Sequence, residues 1–252
     1  MARKKDGRPR HQQIAAEIRA RVMSGELPPG ARLPTTLELM STYDVTNQTV
    51  QRTLSVLKEE GFLVGRAGVG VYVREESPIG IQAAAYLPPP DNRELPGWAT
   101  DAEQRGQQSA VRLLEVAEVR SPAEVAGLWG ERVSMRRQVL LLDEEPVELA
   151  CVYHPLEIAR GTPLTHRRRI RDGTARVLTE LGYPPVESVD RVSTRLPTTG
   201  ELELLDLPDN VPVLRTFRIV YTKNQQPVEI QILVKGGNRY ELSYRFPYYL
   251  KE

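Results

Sequence analysis

Residues 9–73 read PRHQQIAAEIRARVMSGELPPGARLPTTLELMSTYDVTNQTVQRTLSVLKEEGFLVGRAGVGVYV, and this stretch decides the fold of the N-terminal part of the chain. Apolar residues recur at helical spacing in three short segments, and a glycine-rich hairpin pattern follows the third. In the first segment Ile14, Ile18 and Val22 form the apolar stripe, and Gly25 ends the helix. Three short helices followed by a two-stranded hairpin predict a winged helix-turn-helix over residues 1–75.

Two threonines mark the starts of the second and third helices. Glu38 follows Thr35 by three residues, which is the pattern of a capping box. Thr46 occupies the cap position of the third helix, whose apolar residues lie at i, i+4 and i+7 from Val50. The opposite face of that helix is polar and begins with amide side chains.

The polar face of the third helix and the hairpin tip indicate a nucleic-acid surface. Amide side chains pair with adenine, arginine pairs with guanine or phosphate, and an arginine on a glycine-rich hairpin can enter a minor groove. A solvated helix face is the alternative, and the preceding helix-turn-helix pattern favours DNA. We therefore expect double-stranded DNA to be contacted by Thr35, Thr36, Thr46, Asn47, Gln48, Thr49, Gln51, Arg52, Arg66 and Gly68.

Charge is distributed unevenly along the 252 residues, although the formal net charge is only +1. Residues 1–75 contain 12 Lys and Arg against 8 Asp and Glu, and the remainder contains 22 against 25. A basic N-terminal part and a mildly acidic C-terminal part suit a DNA-binding domain joined to a domain that binds a different partner. The basic N-terminal residues Arg3, Lys4, Lys5, Arg8 and Arg10 fit either phosphate contacts or a solvated tail.

Several classes of protein are disfavoured by composition. The single cysteine, Cys151, allows no disulfide within the chain and no cysteine-rich metal site, and the three histidines lie far apart. No apolar run is long enough to span a membrane, and the N-terminal residues carry no apolar signal segment. We expect a cytoplasmic protein with no metal, no cofactor and no membrane partner.

The C-terminal part predicts an α+β domain behind a linker. Residues 76–108 are rich in proline, glycine and polar residues and are interpreted as the linker. Residues 109–252 alternate strand and helix patterns, with capping boxes predicted at Ser121 and Thr198. A run of exposed charge, Arg167–Arg169 with Arg171, is interpreted as a solvated loop.

A weak internal repeat runs through this domain. Each copy has a helix, a strand, a turn and a strand that begins Pro-Val-Glu, so Glu148 and Glu229 occupy equivalent positions. Repeated halves often leave a ligand cleft between them, and we expect both glutamates to face a shared cavity. The alternative is that each glutamate lies on a solvated strand face.

The head resembles the winged helix-turn-helix of the GntR family of bacterial transcription regulators. In three places where that family often has arginine, this chain has Leu37, Asn47 and Gln51, so the resemblance implies a different operator. The similarity rests on Ile14-Ala15, Gly25-Glu26-Leu27-Pro28-Pro29-Gly30, Leu33-Pro34, Val45-Thr46, Thr49-Val50, Leu54, Leu57, Glu60-Gly61 and Arg66-Ala67-Gly68-Val69-Gly70.

Residues 109–248 resemble the UTRA effector-binding domain of HutC-type members, a fold related to chorismate lyase. Sugar-phosphate sensors of this group hold phosphate with two arginines at positions that correspond here to Gln138 and Leu140. The similarity rests on Arg136-Arg137, Glu144-Glu145-Pro146, Tyr153-His154-Pro155, Gly182, Leu205, Val213-Leu214, Gln226-Pro227-Val228-Glu229 and Tyr240-Glu241-Leu242. It implies a ligand with hydroxyl or amine groups in a cavity lined by Arg136, Arg137, Gln138, Glu148, Tyr153, Glu229 and Tyr240.

Three functions are compatible with these patterns. The first is a homodimeric repressor that reads a near-palindromic operator and responds to a small-molecule effector. The second is an effector-independent repressor of a plasmid or mobile element. The third is a lyase-like enzyme, which the absence of a nucleophile–base pattern in the sequence disfavours, so we expect no catalysis.

Overall fold

The computed structural model describes residues 6–75, 79–82, 97–171 and 173–243. The chain divides into two compact units, Met1–Pro78 and Ile79–Glu252. The first unit, here called the head, contains three helices and a two-stranded hairpin. Its elements are α1 (Arg10–Met23), α2 (Thr36–Tyr43), α3 (Asn47–Glu59), β1 (Leu63–Arg66) and β2 (Gly70–Val73).

The capping box predicted for the second helix of the head is confirmed. The Thr35 side chain accepts a hydrogen bond from the Glu38 backbone at 3.3 Å, and the Glu38 carboxylate accepts one from the Thr35 backbone at 2.7 Å. The apolar stripe of α3 is also confirmed, because Val50 and Leu57 are buried in one cluster with Ile14 and Ile18 of α1. This cluster fixes α3 against the rest of the head and leaves its polar face outward.

The hairpin β1–β2 forms the wing. It is antiparallel from Leu63↔Val73 to Arg66↔Gly70, so each strand extends further toward the tip than its apolar pattern predicts. The turn includes Gly68 at a φ of 70°, a left-handed conformation that glycine adopts without strain. The head is therefore the predicted winged helix-turn-helix.

The second unit is built on a six-stranded antiparallel sheet in the order β4-β5-β6-β9-β8-β7. Helices lie on both of its faces, and a separate pair of short strands, β3 and β10, is parallel. The elements are β3 (Ile79–Gln82), α4 (Gly97–Gln104), β4 (Ser109–Arg120), α5 (Ala123–Trp129), β5 (Arg132–Leu142), β6 (Glu145–Pro155), α6 (Leu156–Ala159), α7 (Gly173–Glu180), β7 (Glu187–Arg195), α8 (Thr199–Leu205), β8 (Val213–Tyr221), β9 (Pro227–Gly236) and β10 (Tyr240–Ser243). Short 3₁₀ turns occupy Pro163–Thr165 and Lys223–Gln225.

The predicted internal repeat appears in the sheet as β4-α5-β5-β6 and β7-α8-β8-β9. The two copies meet where β6 pairs with β9, with Cys151 opposite Ile232 at the middle of that pair. Across the sheet, the strands of the second copy follow in the reverse order of those of the first copy. The two halves are therefore related by a pseudo-twofold axis perpendicular to the sheet. The α+β fold class predicted for the chain is confirmed.

The two faces of the sheet bury different helices. On the α5/α8 face, Val125 of α5 packs with Phe217 and Ile230, and Leu205 of α8 packs with Val213. On the α7 face, the buried residues of α6 and α7 pack with Val220 and Val228. Alternate residues of each strand therefore belong to different layers.

Two expectations for this unit need correction. The interpretation of residues 76–108 as a linker is incomplete, because β3 pairs with β10 and α4 packs Trp98 against a buried cluster that includes Leu140. The capping box at Ser121 is wrong, since α5 begins at Ala123 behind Pro122. The Ser121 backbone N–H donates to the Glu131 carbonyl at 2.8 Å, which holds this residue at the strand end and one position too early for a cap. The box at Thr198 is confirmed.

Candidate nucleic-acid interface and ligand site

The exposed start of α3 gathers the predicted base-reading side chains. Asn47, Gln48, Gln51 and Arg52 are all exposed, and the Thr46 hydroxyl caps the helix by accepting from the Thr49 backbone at 3.4 Å. The Gln51 amide donates to the Asn47 side-chain oxygen at 3.3 Å and to the Thr36 hydroxyl of α2 at 3.4 Å. Donors and acceptors from two helices therefore form one hydrogen-bonded surface.

A groove of about 630 Å³ separates the wing from the helices. Thr35, Thr36 and residues 65–71 of the wing line it, and three cationic side chains, Arg32, Lys58 and Arg66, converge on it. Sequence analysis found Arg66 and missed the other two. Arg32 precedes the wing by more than 30 positions, Lys58 lies in the last turn of α3, and neither carries a local motif. Concentrated positive charge in a groove of this kind suits a polyanionic partner.

Two wing glycines explain how these cations approach so closely. A Cβ on Gly65 would lie 3.2 Å from the Lys58 Nζ, and a Cβ on Gly70 would lie 3.1 Å from the Arg32 Nε. Both distances are tighter than an ordinary van der Waals contact. The absence of side chains at Gly65 and Gly70 therefore lets both cations lie against the wing.

Arg66 already has an anionic partner within the head. Its guanidinium donates to the Glu75 carboxylate at 2.6 Å and lies over the Tyr72 ring at 4.5 Å from the centroid. Both members of the ion pair are about half exposed or more, and exposed pairs of this kind contribute little to stability. A phosphate oxygen can replace Glu75 at the same donor while the ring keeps the arginine extended.

The predicted effector residues of the second unit do not share one cavity. Residues opposite each other in an antiparallel sheet lie on one face, and Arg136, Gln138, Glu148 and Glu229 all fall on the α7 face by this rule. The others lie elsewhere. Arg137 and Tyr153 lie on the α5/α8 face, and Tyr240 belongs to β10.

The expectation that Glu148 and Glu229 face a shared cavity is also wrong. Glu148 lies opposite Lys235 and Glu229 lies opposite His154, at the two ends of the β6–β9 pair. Six residues of strand separate these positions, which corresponds to about 20 Å. Equivalent residues of the two repeats lie far apart because the pseudo-twofold axis reverses the strand direction.

Glu229 is the centre of a buried polar cluster on the α7 face. Its carboxylate contacts the His154 Nε2 at 2.9 Å and accepts a hydrogen bond from the Gln231 amide. Burial alone would raise the pKa of Glu229, but His154 and hydrogen bonds from Thr174 and Gln231 outweigh it and hold the pKa below its usual value. The carboxylate is therefore ionised at neutral pH, and the buried His154 Nδ1 has no hydrogen-bond partner among the described residues.

A buried amine, that of Lys235, lies at the opposite end of the β6–β9 strand pair from Glu229. Lys235 contacts the Glu148 carboxylate, and both side chains are almost fully buried. Burial lowers the pKa of Lys235 to about 7, while the adjacent carboxylate favours its charged form. The two equivalent glutamates are thus each paired with a basic side chain of a different kind.

The two predicted tyrosines, Tyr153 and Tyr240, are buried away from the paired glutamates Glu148 and Glu229. Burial raises the pKa of Tyr153 to about 12, and its ring packs in the cluster that contains Val125 and Phe217. Burial also raises the pKa of Tyr240 above its usual range. Both residues pack in the fold at sites separate from the Glu229 cluster.

Arg136 was predicted to bind an effector, but its guanidinium is occupied by the chain itself. It is almost fully buried, and it donates to the backbone carbonyls of Leu164, His166 and Arg168 at 2.9, 2.9 and 2.7 Å. Burial lowers its pKa. This arginine therefore holds the loop that presents the exposed run Arg167–Arg169.

Metal chemistry and membrane insertion find no support in the described residues. Within those ranges no group of three His, Cys, Asp or Glu side chains is arranged to hold a metal ion. None of the described helices is long and apolar enough to cross a membrane.

A winged helix-turn-helix with a cationic groove, followed by a separate α+β unit, defines a DNA-binding transcription regulator. Residues 10–73 match the family described as bacterial regulatory proteins, gntR family, and residues 104–241 match the UTRA domain. The chain belongs to the GntR family, in the HutC-type branch whose members carry a UTRA domain.

Relatives share this arrangement over nearly their whole length. The chain is 27% identical over 249 residues to the HTH-type transcriptional regulator SCO4628 of Streptomyces coelicolor, covering 94% of this chain and 93% of that protein. It is 25% identical over 237 residues to the HTH-type transcriptional repressor NagR of Bacillus subtilis, covering 92% of each. The crystal structure of PhnF from Mycobacterium smegmatis has the same fold, with a TM-score of 0.55, 19% identity and coverage of 93% of this chain and 99% of that one.

Proposed function

We propose that this chain is a homodimeric repressor whose affinity for a near-palindromic operator is set by a small-molecule effector bound in the UTRA domain. The exposed, hydrogen-bonded polar surface formed by Asn47, Gln51 and Thr36 supports the DNA-binding half of this proposal. NagR, which is similar over 92% of the chain, is a transcriptional repressor. We propose a cytoplasmic location for the protein because its proposed target is DNA. Selection of bound sequences from random DNA should return a two-part, near-palindromic site.

The cationic groove is proposed to bind phosphate and not bases. Arg32→Gln and Lys58→Gln should each weaken binding to operator and to random DNA by the same factor. Each should also reduce the slope of log affinity against log salt by about 1, because each removes one phosphate contact. Fluorescence anisotropy over a salt series measures both quantities.

Arg112→Gln, a change of the same kind at an exposed position of β4 in the other unit, is the control and should leave the slope unchanged. Loss confined to the operator, with the slope kept, would show that Arg32 and Lys58 read bases.

The effector is proposed to bind on the α7 face beside Glu229. The ionised Glu229 carboxylate accepts hydrogen bonds, and Gln138 and Gln231 lie on the same face within two strands of it. The buried His154 Nδ1, which has no hydrogen-bond partner within the described ranges, adds a further polar atom. These groups suit a polar ligand with hydroxyl or amine donors.

Glu229→Gln should leave operator affinity at the wild-type value and raise the effector concentration needed for release. The amide keeps the shape of the side chain but loses the charge that an amine or hydroxyl of the ligand contacts. The effector is first found by thermal shift against polar metabolites, since a selective ligand stabilises the folded state by mass action. Operator binding is then titrated with it.

Glu203→Gln, the same substitution at an exposed position of α8, is the matched control. Release of operator by Glu229→Gln at the wild-type effector concentration would exclude this ligand position. A screen without any stabilising ligand would favour an effector-independent repressor. Turnover of a ligand found by the screen would favour the lyase-like alternative.

A further inference from the structure

Leu37 is the most exposed large apolar side chain in the described part of the chain, at 76%. It is the second residue of α2, between Thr36 and Glu38. Glu38 completes the capping box, and Leu39 is buried in the apolar cluster of the head. The fold of the head therefore accounts for the two residues that follow Leu37, but not for Leu37 itself.

The position of Leu37 distinguishes it from other exposed apolar residues, since a single exposed leucine is common on protein surfaces. The Thr36 hydroxyl accepts a hydrogen bond from the Gln51 amide at 3.4 Å, and Gln51 also donates to Asn47. This contact joins the start of α2 to the exposed start of α3. Leu37 is the next residue along the chain, so it adds an apolar group at the border of the polar surface.

The charges of the head are arranged around this surface. The cations Arg32, Lys58 and Arg66 converge on the groove beside the wing, where phosphate is proposed to bind. The Glu38 carboxylate is occupied by the backbone and hydroxyl of Thr35. The remaining polar side chains in the first turns of α2 and α3 are uncharged hydroxyls and amides, which together with Leu37 suit base edges more than phosphates.

The chemistry of the base edges gives an apolar group on such a surface a definite meaning. The C5-methyl of thymine is the apolar group that a base pair presents in the major groove, and amide side chains pair with N6 and N7 of adenine. Arginine, which pairs with guanine, is absent from the first turn of α2 and from that of α3. Because adenine and thymine are partners in one base pair, amides and a leucine on one surface are complementary to A·T pairs.

We propose that Leu37 contacts the C5-methyl group of an operator thymine, and that the starts of α2 and α3 read A·T pairs. The proposal rests on the proposed DNA-binding function and deepens it by naming the class of base pair that the head selects. The contact removes a methyl group and an exposed leucine side chain from water, which is favourable. Leu37 is therefore a specificity residue, since cytosine has no methyl group at this position.

Deoxyuridine in place of thymine tests the contact, because deoxyuridine lacks only the C5-methyl group. The operator selected from random DNA is prepared as a series of duplexes, each with one thymine position replaced in both half-sites. At one position the wild type should lose affinity about fourfold per half-site, which is the loss expected for one buried methyl group. Fluorescence anisotropy with labelled duplexes measures the affinities.

The variant Leu37→Ala identifies the side chain that contacts the methyl group. It should bind the thymine operator about fourfold less tightly per half-site, and it should lose nothing more when the sensitive thymine is replaced. Its affinity for random DNA should equal that of the wild type, because the phosphate contacts are unchanged.

Met23→Ala is the matched control. Met23 is 65% exposed and is the last residue of α1, so the substitution also truncates an exposed apolar side chain of the head. This variant should keep the wild-type affinity and the full loss on the deoxyuridine duplex. Melting followed by circular dichroism checks that both variants are folded.

Two results would each overturn the contact: wild-type binding that no deoxyuridine replacement weakens, or a Leu37→Ala variant as sensitive as the wild type at every thymine. Equal weakening of operator and random DNA by Leu37→Ala would also overturn it, since the side chain would then act without reading a base. In all three cases the DNA-binding function stands. A wild type that selects no sequence from random DNA would overturn the proposed function instead.

Discussion

Replacing Asn47 or Gln51 with alanine should weaken binding to the selected operator by about 1–3 kcal/mol and leave binding to random DNA nearly unchanged. Each change removes an amide from the exposed start of α3, where Gln51 donates hydrogen bonds to Asn47 and Thr36. Because the two amides are hydrogen-bonded to each other, the double variant should lose less than the sum of the single losses. Competition binding with operator and random DNA measures these differences.

Ser55→Ala is the matched control for this helix. Ser55 is exposed on α3 but lies near its C-terminal end, where its hydroxyl donates to Glu59 at 2.8 Å. Its replacement should leave both affinities unchanged. If Asn47→Ala and Gln51→Ala weakened operator and random DNA equally, these amides would be contacting the backbone of the DNA.

Replacing Arg136 with leucine should lower the free energy of unfolding of the second unit by about 3–5 kcal/mol, since it removes a buried charged donor. The carbonyls of Leu164, His166 and Arg168 would lose the hydrogen bonds that the guanidinium now donates. Both tryptophans, Trp98 and Trp129, lie in this unit, so their fluorescence during urea unfolding reports on it and not on the head.

Arg168→Leu provides the comparison for that experiment. Its side chain is exposed in the same loop, and its carbonyl would still accept from Arg136, so the expected change is within about 0.5 kcal/mol. Equal urea midpoints for Arg136→Leu and wild type would mean that the buried guanidinium contributes no net stability.

Features set by neighbouring residues could be predicted from the sequence. The capping boxes at Thr35 and Thr198 need only a hydroxyl and a glutamate three residues later, and both are present as predicted. Ser121 shows the limit of such a pattern, because pairing of its backbone with Glu131 competes with the cap. The apolar stripe of α3 was predictable because helical spacing reports directly which face is buried.

Features set by pairing register could not be predicted in this way. A repeated Pro-Val-Glu motif shows that Glu148 and Glu229 are equivalent, but not that antiparallel strands place them at opposite ends of β6 and β9. The basic partners of both glutamates, His154 and Lys235, lie 75 or more positions away in the chain, and no local pattern points to them. Arg32 was missed for the same reason, since it meets the wing from more than 30 positions earlier in the chain.

Glu148 is paired with Lys235 and Glu229 is paired with His154, so the two ends of the β6–β9 strand pair carry different basic groups. The two halves share one order of elements about the pseudo-twofold axis, so the strands alone do not distinguish one end of the β6–β9 pair from the other. The chemistry of the two ends differs, since one carries a buried aliphatic amine beside Glu148 and the other a buried imidazole beside Glu229. A scaffold that is symmetric in its strand order is therefore asymmetric in the buried charges that it carries.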